Sequence, residues 1–395
     1  MAQHILTING GSSSIKFALF EKNDAIAVVF RGAIENIGQP NGVFWATYAD
    51  GADDFKKNIE SPDISSSVQL FSEWIRSQVH GETMVSIGYR VIHGGMKYSE
   101  PTGITDELVE YLRSITQLDP DHMPQVIQLI ESFRTRFPTV SHVACFDTAF
   151  HHDMPTVARL LPIPRKFDAL GVRRYGFHGL SFTSVLEQIQ QSVGVDAARG
   201  KFVFAHLGSG ASLAAIVDGK SIDTSMCFTP VAGIPMGTRS GDIDPGILPY
   251  LSQSAGYDVT AIHAMVNFES GLLGMSEISA NVHELLEHEK TDQRAKDALD
   301  VFCYQVKKYI GAYAAAMGGI DMLVFTGGIG ERASQIRSRI CEKLQFLGIQ
   351  LDEAKNQANE DMISSQTGRV QVRIVHVNEE LIIAKQTMDV LAKLH

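Results

Sequence analysis

A chain of 395 residues, 44% hydrophobic and 20% charged, has the composition of an ordinary globular protein, long enough to fill two domains. Its 34 Lys and Arg against 45 Asp and Glu give a net charge of −11. That balance excludes broad nucleic-acid and anionic-membrane binding, but leaves room for a small anion held by a few arginines in a cleft. The N-terminus lacks a basic segment followed by a long apolar one, and no apolar run reaches the ~18 residues of a transmembrane helix. The four cysteines, Cys145, Cys227, Cys303 and Cys341, are scattered without a C-x-x-C pair. A cytoplasmic protein with reduced, buried thiols is expected.

The first predicted element is a strand, His4–Ile8, that runs into I-N-G-G-S-S-S-I-K, Ile8 to Lys16. This stretch has the glycines, hydroxyls and lysine of a phosphate loop, but not the Gly-x4-Gly-Lys-Ser/Thr spacing of the strand–loop–helix kind. Ser14–Phe20 alternates polar and apolar, so the turn joins two strands, and Ala25–Phe30 reads as a third. Ser65–Val79 has the apolar spacing of a helix, and Met84–Ile92 is a strand rich in β-branched residues. Two helices follow, Leu108–Ile115 and Gln125–Phe137, then a buried strand, Val140–Phe146, that ends at Asp147.

A second strand-rich stretch begins near Lys201 and echoes the first. Ile5–Ile15 aligns without a gap on Val203–Leu213, an offset of 198 residues (5 to 203). That is too long for a solenoid and suggests two copies of one α/β domain facing each other across a cleft. The alternative is that two Gly/Ser hairpins arose by chance, since such turns are common. A third glycine cluster, Gly327 to Ala333, ends an apolar strand and leads into a helix, Ser334–Leu347. Its Gly328–Ala333 also satisfies the loose dinucleotide pattern G-x-G-x-x-A. A strand, Val370–Val377, and an apolar-periodic helix, Leu381–Leu394, close the chain, the helix packing back onto one domain.

Three stretches concentrate polar chemistry beyond what a core needs: Tyr89–Gly95 with Arg90, Arg173–Gly179 with His178, and Met236–Pro245 with Arg239. Arginines beside glycines suit a phosphate or carboxylate clamp, because the guanidinium fork donates two parallel bonds while the backbone stays clear. Taken singly, an arginine is more often a surface ion pair, Arg239 less so in its turn of Gly, Ser and Asp, and His178 is as compatible with a structural histidine. Asp147 follows a buried strand, where Asp is also a good helix N-cap. His151 and His152 are consecutive and no H-E-x-x-H occurs, so zinc is not expected. Glu379 follows the last strand, where one carboxylate suffices to hold Mg²⁺ through water. The residues alone point to an enzyme acting on phosphates.

In chain order, N-G-G-S-S-S-I-K, R-V-I-H-G-G, F-D-T-A-F-H, R-R-Y-G-F-H-G, H-L-G-S-G-A-S, D-T-S-M-C-F-T-P, M-G-T-R-S-G-D-I-D-P, F-T-G-G-I-G-E and N-E-E-L resemble the motifs of the acetate kinase family. That family lies within the sugar kinase/heat-shock protein/actin superfamily, and the resemblance runs nearly end to end. It implies an α/β fold of duplicated actin-like (ribonuclease H-like) β-β-β-α-β-α-β-α domains flanking an interdomain cleft. The domains would be 1–148 with 382–395, and 149–381. It also implies the reversible in-line reaction ATP + acetate ⇌ ADP + acetyl phosphate, with Mg²⁺ or Mn²⁺ in its place, in a homodimer.

By the resemblance, Arg90 and Arg239 grip the carboxylate and the moving phosphoryl group, His178 stabilises its charge, and Asp147 positions the substrate end. Asn9 and Glu379 help to place Mg²⁺. Ser12, Ser14 and Lys16 belong to the first phosphate turn, and His206, Leu207, Gly208, Ser209 and Gly210 to the second. Asn281, Val282 and His283, with Gly327, Gly328, Ile329, Gly330 and Glu331, complete the nucleotide contacts. Ile92, Asp121, Phe177 and Pro230 would wall the acyl pocket beside Arg90.

Departures are informative. The family's L-H-N-P reads Asp121-His122-Met123-Pro124, and G-T-S-H reads Gly179-Leu180-Ser181-Phe182. A carboxylate in an acyl wall either turns to solvent or marks a pocket for more than a bare methyl group. The usual D-x-R reads Asn281-Val282-His283 and G-E-N reads Gly330-Glu331-Arg332, so looser selectivity for adenine is expected. A propionate or butyrate kinase would share most of these motifs. A non-catalytic actin-like nucleotide switch would not need the arginine pair, and a dinucleotide-dependent oxidoreductase rests on G-x-G-x-x-A alone.

Overall fold

The computed structural model describes residues 3–11, 13–22, 26–51, 54–61, 63–79, 84–195 and 199–394; Ser12 of the first glycine turn and Ala25 lie outside them. The chain divides into two compact units, Met1–Ala149 with Asn378–His395, and Phe150–Val377.

The first unit is built on β1 (Gln3–Gly10), β2 (Ser14–Lys22), β3 (Ile26–Glu35), β4 (Gly42–Tyr48), β5 (Phe55–Ile59), β6 (Met84–Val91), β7 (Thr102–Gly103) and β8 (Ser141–Phe146). Among the described residues these form one sheet, in the order β5-β4-β3-β2-β1-β6-β8-β7. β1 to β5 form an antiparallel meander, as short turns allow, whereas β6 lies parallel to both β1 and β8. The parallel strands are joined through α1 (Ile64–Gln78), α2 (Asp106–Ser114) and α3 (Met123–Arg136). Helix α1 starts where Asp63 accepts the Ser66 N–H at 2.7 Å and buries Val68, Phe71 and Ile75. Phe71 and Trp74 of this helix pack on Phe17, Phe30 and Phe44 of the sheet, the Phe17–Phe71 centroids 4.6 Å apart.

The C-terminal helix, Glu379–Leu394, belongs to this unit and joins Ala384 to a cluster with Ile5, Ala18 and Phe20. Gly88 of β6 makes its approach possible: a Cβ there would lie 2.2 Å from Thr387 Oγ1 and 2.7 Å from Ile383 Cγ2. Gly88→Ala is therefore expected to cost at least about 1–3 kcal/mol by overpacking, read as a lower denaturant midpoint.

The second unit repeats the central topology. Its strands are β9 (Lys201–Leu207), β10 (Ala211–Val217), β11 (Lys220–Thr224), β12 (Met322–Thr326) and β13 (Gln371–Ile374), ordered β11-β10-β9-β12-β13. β9, β10 and β11 are antiparallel, and β12 lies parallel to β9 and β13, as in β3-β2-β1-β6-β8 of the first unit. The predicted repeat is thus a repeat of fold. Its gapless alignment holds along the first strand but not across the turn: Gly10 pairs with Ile15, whereas Leu207 pairs with Ala211.

The helices of this unit are α4 (Thr156–Arg159), α5 (Gly179–Val193), α6 (Ile247–Ala255), α7 (Val259–Phe268), α8 (Gly271–Ser276), α9 (Val282–His288), α10 (Gln293–Met317), α11 (Gly327–Arg332), α12 (Ser334–Cys341) and α13 (Glu353–Ala358). Phe182, Val185 and Ile189 of α5 pack with Phe202, Phe204, Ala214, Ile216, Met322 and Val324 of the sheet. The helix expected over Ser334–Leu347 stops at Cys341, because Lys343 takes a left-handed φ of 65° and Gln345–Leu347 forms a separate 3₁₀ turn. Among the described residues no helix is long and apolar enough to cross a membrane. The four cysteines are free; Cys145, Cys303 and Cys341 are buried and Cys227 is half-buried.

Candidate active site

In the first unit, parallel pairing brings the carboxyl ends of β1, β6 and β8 to one edge. There Asn9, Arg90 and Asp147 meet, although they are far apart in sequence. Arg90 Nε and Nη2 both donate to Asp147 Oδ2, at 2.8 and 2.5 Å, and Nη1 donates to Asn9 Oδ1 at 3.3 Å. Asn9 Nδ2 donates to Glu379 Oε2 at 3.1 Å, and Arg90 Nη1 lies 3.6 Å from the same oxygen. Asp147 is 1% exposed and Arg90 19%, so this is a largely desolvated pair, ordered by charge-assisted bonds. Burial opposes the charge of Arg90, but Asp147, Glu379 and Glu380 outweigh it and hold its pKa above the ordinary value. The Glu380 carboxyl is pushed up, first by burial and then by Glu379, against the pull of Lys16 and Arg90.

Of the other residues predicted for this unit, Ser14, Lys16 and Ile92 sit close in sequence to that edge. Lys16 is exposed on β2 opposite Asn9, and Ser14 is half-buried where Gly11 N–H bonds to its carbonyl at 2.8 Å. Ile92 is buried. Asp121 is half-buried, just before α3.

In the second unit, His178 and Arg239 converge on the second glycine turn. A Cβ on Gly210 would lie 3.4 Å from His178 Nε2 and 3.6 Å from Arg239 Nη1, so glycine keeps open the space these two groups face. His178 Nδ1 is 2.9 Å from Ser212 Oγ, and its ring lies against His206, with centroids 4.5 Å apart. Arg239 Nη1 donates to the Pro230 carbonyl at 3.4 Å, and Phe177 is buried. Gly237 N–H donates to Ser209 O at 3.1 Å, and a Cβ on Gly237 would also touch Ala280 at 3.4 Å. Thr326 pairs with His206, so Gly327 follows directly beside Leu207. Stretches 206–210, 236–239, 280–283 and 327–330, spread over more than a hundred residues, are thereby gathered in one region.

The side chains expected at the nucleotide have duties inside the fold. Asn281 caps α9 by accepting the His283 N–H at 2.9 Å, and His283 is exposed. Glu331 accepts the Gly327 N–H at 3.0 Å and lies 2.8 Å from His376 Nδ1, bracing the glycine segment. Backbone of Gly327–Gly330, held by that brace, can approach a phosphate closely. Among the described residues there is no group of three or more His, Cys, Asp or Glu that could hold a metal ion. His151 is bonded to Ser221 and Phe177.

Sequence reasoning missed Arg337. Its side chain is fully buried; Nη1 donates to Gly330 O at 2.8 Å, Nε to Asn356 Oδ1 at 2.7 Å, and Nη2 to Asn356 O and Asn359 Oδ1 at 2.7 and 2.6 Å. Burial draws its pKa down to about 10. The available signal was an arginine on the apolar side of α12, one residue from Ile336 and three and four from Ile340 and Cys341. Arg337→Met is expected to destabilise the protein by about 3–5 kcal/mol, since four acceptors lose their donor at once; denaturant melts check this.

A sequence profile of the Acetokinase family matches residues 4–385. The acetate kinase of Oceanobacillus iheyensis is 40% identical over 391 residues, covering 98% of each chain. The crystal structure of Porphyromonas gingivalis acetate kinase is 35% identical, with a TM-score of 0.89 over 98% of this chain and 100% of that one. That of a propionate kinase from Francisella tularensis is 37% identical, with a TM-score of 0.92 over 98% and 99%. The motifs, the duplicated actin-like α/β fold and these likenesses agree: the chain belongs to the acetokinase family.

Proposed function

We infer that the protein transfers a phosphoryl group reversibly between ATP and acetate, giving ADP and acetyl phosphate. The observation that carries this reading is the pair of oriented arginines, Arg90 locked by Asp147 and Arg239 aimed with His178 over Gly210. A nucleotide switch has no use for such a pair. Acetate is already ionised at neutral pH, so no general base is needed to activate it. Phosphoryl transfer through a loose transition state needs alignment and cations around spread negative charge. Arg90 and Arg239 supply fixed charge, and His178 supplies a donor. The tautomer in which Ser212 donates to Nδ1 puts the His178 proton on Nε2, facing Gly210. Asp147 acts by holding Arg90 rather than by touching the reacting atoms.

Mg²⁺ fits the carboxylate here: Glu379 beside Asn9 suits an ion that uses one or two protein carboxylates with water and phosphate oxygens. Bound there, the ion would neutralise phosphate charge, and Mn²⁺ would substitute for it. Self-association into a homodimer is supported by α6 and α7, which bury no apolar side chain among the described residues and expose Ile247, Tyr250, Val259 and Phe268. A domain division near 148 and 381, and a reducing cytoplasm that suits four free cysteines, complete the reading.

A second reading, propionate as the preferred acid, is favoured by the likeness to the propionate kinase. A hydroxamate assay with ATP, Mg²⁺ and a panel of short carboxylates separates the two. Acetate giving the highest kcat/KM supports the first reading; propionate doing so replaces it by the second, and no acyl phosphate from any acid rejects both. The same assay with GTP and ITP tests the looser base choice, which a preference for ATP above ~100-fold would refute.

A further inference from the structure

His151 plays no part in the reaction as described, yet it is buried, at 1% exposure, with both ring nitrogens engaged. We propose that His151 is a positioning residue that fixes the Phe177 carbonyl and, through it, the ring of His178. The inference rests on the reading that His178 contacts the transferring group.

His151 Nε2 is 3.0 Å from Phe177 O and Nδ1 is 2.7 Å from Ser221 Oγ. A carbonyl oxygen only accepts, so Nε2 carries the proton; Nδ1 then accepts, and the Ser221 hydroxyl donates. Ser221 lies in β11 and is buried, so the imidazole is anchored to the sheet. Burial draws the His151 pKa down to about 4, which keeps the ring neutral and this tautomer in place at working pH.

The segment it holds is strained. His178 has a φ of 58°, in the left-handed region that costs a non-glycine residue roughly 1–2 kcal/mol. Gly176 has a φ of 78°, and a Cβ there would lie 2.6 Å from His151 Cδ2 and 2.5 Å from Thr224 Cγ2. The turn is pinned by Tyr175 N–H to Cys227 O at 3.0 Å, by Gly176 N–H to the same oxygen at 3.4 Å, by Phe177 O to His151, by the His178 ring to Ser212, and by Phe182 N–H to His178 O at 3.0 Å. Of these, the His151 bond orients the peptide that enters His178. Losing it lets the 177–178 peptide rotate and shifts Nε2 away from Gly210.

Two amide variants of different reach test the positioning role. In His151→Gln the amide nitrogen reaches the place of Nε2 and can still donate to Phe177 O. In His151→Asn the amide reaches only the place of Nδ1, and the bond to Phe177 O is lost. The expected result is a fall in kcat of about 10²-fold for His151→Asn, with the KM values for ATP and acetate little changed, and rescue by His151→Gln to within about 5-fold of the parent. Equal loss in both variants, or full kcat in a folded His151→Asn, overturns the proposal. Should His151→Asn fail to fold, Ser221→Ala, which releases the tautomer, is expected to lower kcat several-fold at constant KM, and an unchanged kcat rejects the inference. His178→Ala is the control. If it keeps full kcat, the reading of His178 itself is wrong; if it is inactive while His151→Asn is not, only the positioning role falls.

Discussion

Replacing Arg239 by alanine is expected to lower kcat by about 10³-fold or more with the fold intact, and Arg90→Ala is expected to do the same. Removing a single preorganised donor typically costs ~3–4 kcal/mol of transition-state stabilisation, and each arginine supplies a full charge as well. Within the fold Arg239 Nη1 makes a long bond to Pro230 O and a contact to Met236 sulfur, neutral partners whose loss strands no buried charge. Arg90→Ala differs. It leaves Asp147, 1% exposed, without its cation, so the denaturation midpoint should also fall. A double replacement of Arg90 and Asp147 by neutral residues should recover stability but not turnover. Circular dichroism melts with steady-state kinetics on the three variants check this. A near-normal kcat for either arginine variant would remove it from the reaction.

Acid is expected to unfold the protein well before its surface carboxylates are all protonated. His93 and His151 are buried, and burial draws each pKa down to about 4 from an ordinary 6.5. Asp119 pulls His93 partly back, as the Phe177 carbonyl does His151. His93 Nδ1 accepts the Gly95 N–H at 2.8 Å, which a protonated ring cannot do. Between pH 6.5 and 4 the unfolded chain binds protons that the folded one refuses. Stability is therefore complete above about pH 6.5 and is lost as pH falls towards 4, by about 3 kcal/mol for each histidine. His142 is shifted in the same direction by burial and adds to the loss. Urea midpoints at pH 7.5 and 4.5 measure the effect, and His151→Gln should shrink the difference. Equal midpoints at the two pH values would mean that these rings are charged in the folded state.

The first hairpin was legible because the period-two alternation of Ser14–Phe20, directly after the Gly/Ser turn, is a strand pattern that buries Ile15 and Phe17 on a sheet. The arginine-and-glycine stretches were legible as chemistry because such residues serve little purpose in a core. The largest helix, Gln293–Met317, went unread. It buries ten side chains around a wide arc, mostly alanine, aromatic and aliphatic, without the punctuation that marks shorter helices. β4 and β5 were also missed: they extend a meander whose outer strands are half exposed, and their alternation is weak.

Local pattern settled the hairpins, the glycine turns and the residue types that meet an anion, since these depend on neighbours within a few positions. The sequence also carried the duplication, because strand β9 repeats the apolar phase of strand β1. Only the tertiary structure decided the partners. Asn9 reaches Glu379 across 370 residues, and Arg90 is locked by Asp147 across 57, because parallel pairing of β1, β6 and β8 aligns their carboxyl ends. The supporting roles of His151 and Arg337 depend likewise on burial: a ring or guanidinium removed from water must find its hydrogen bonds inside, and the fold alone determines which backbone carbonyls it finds.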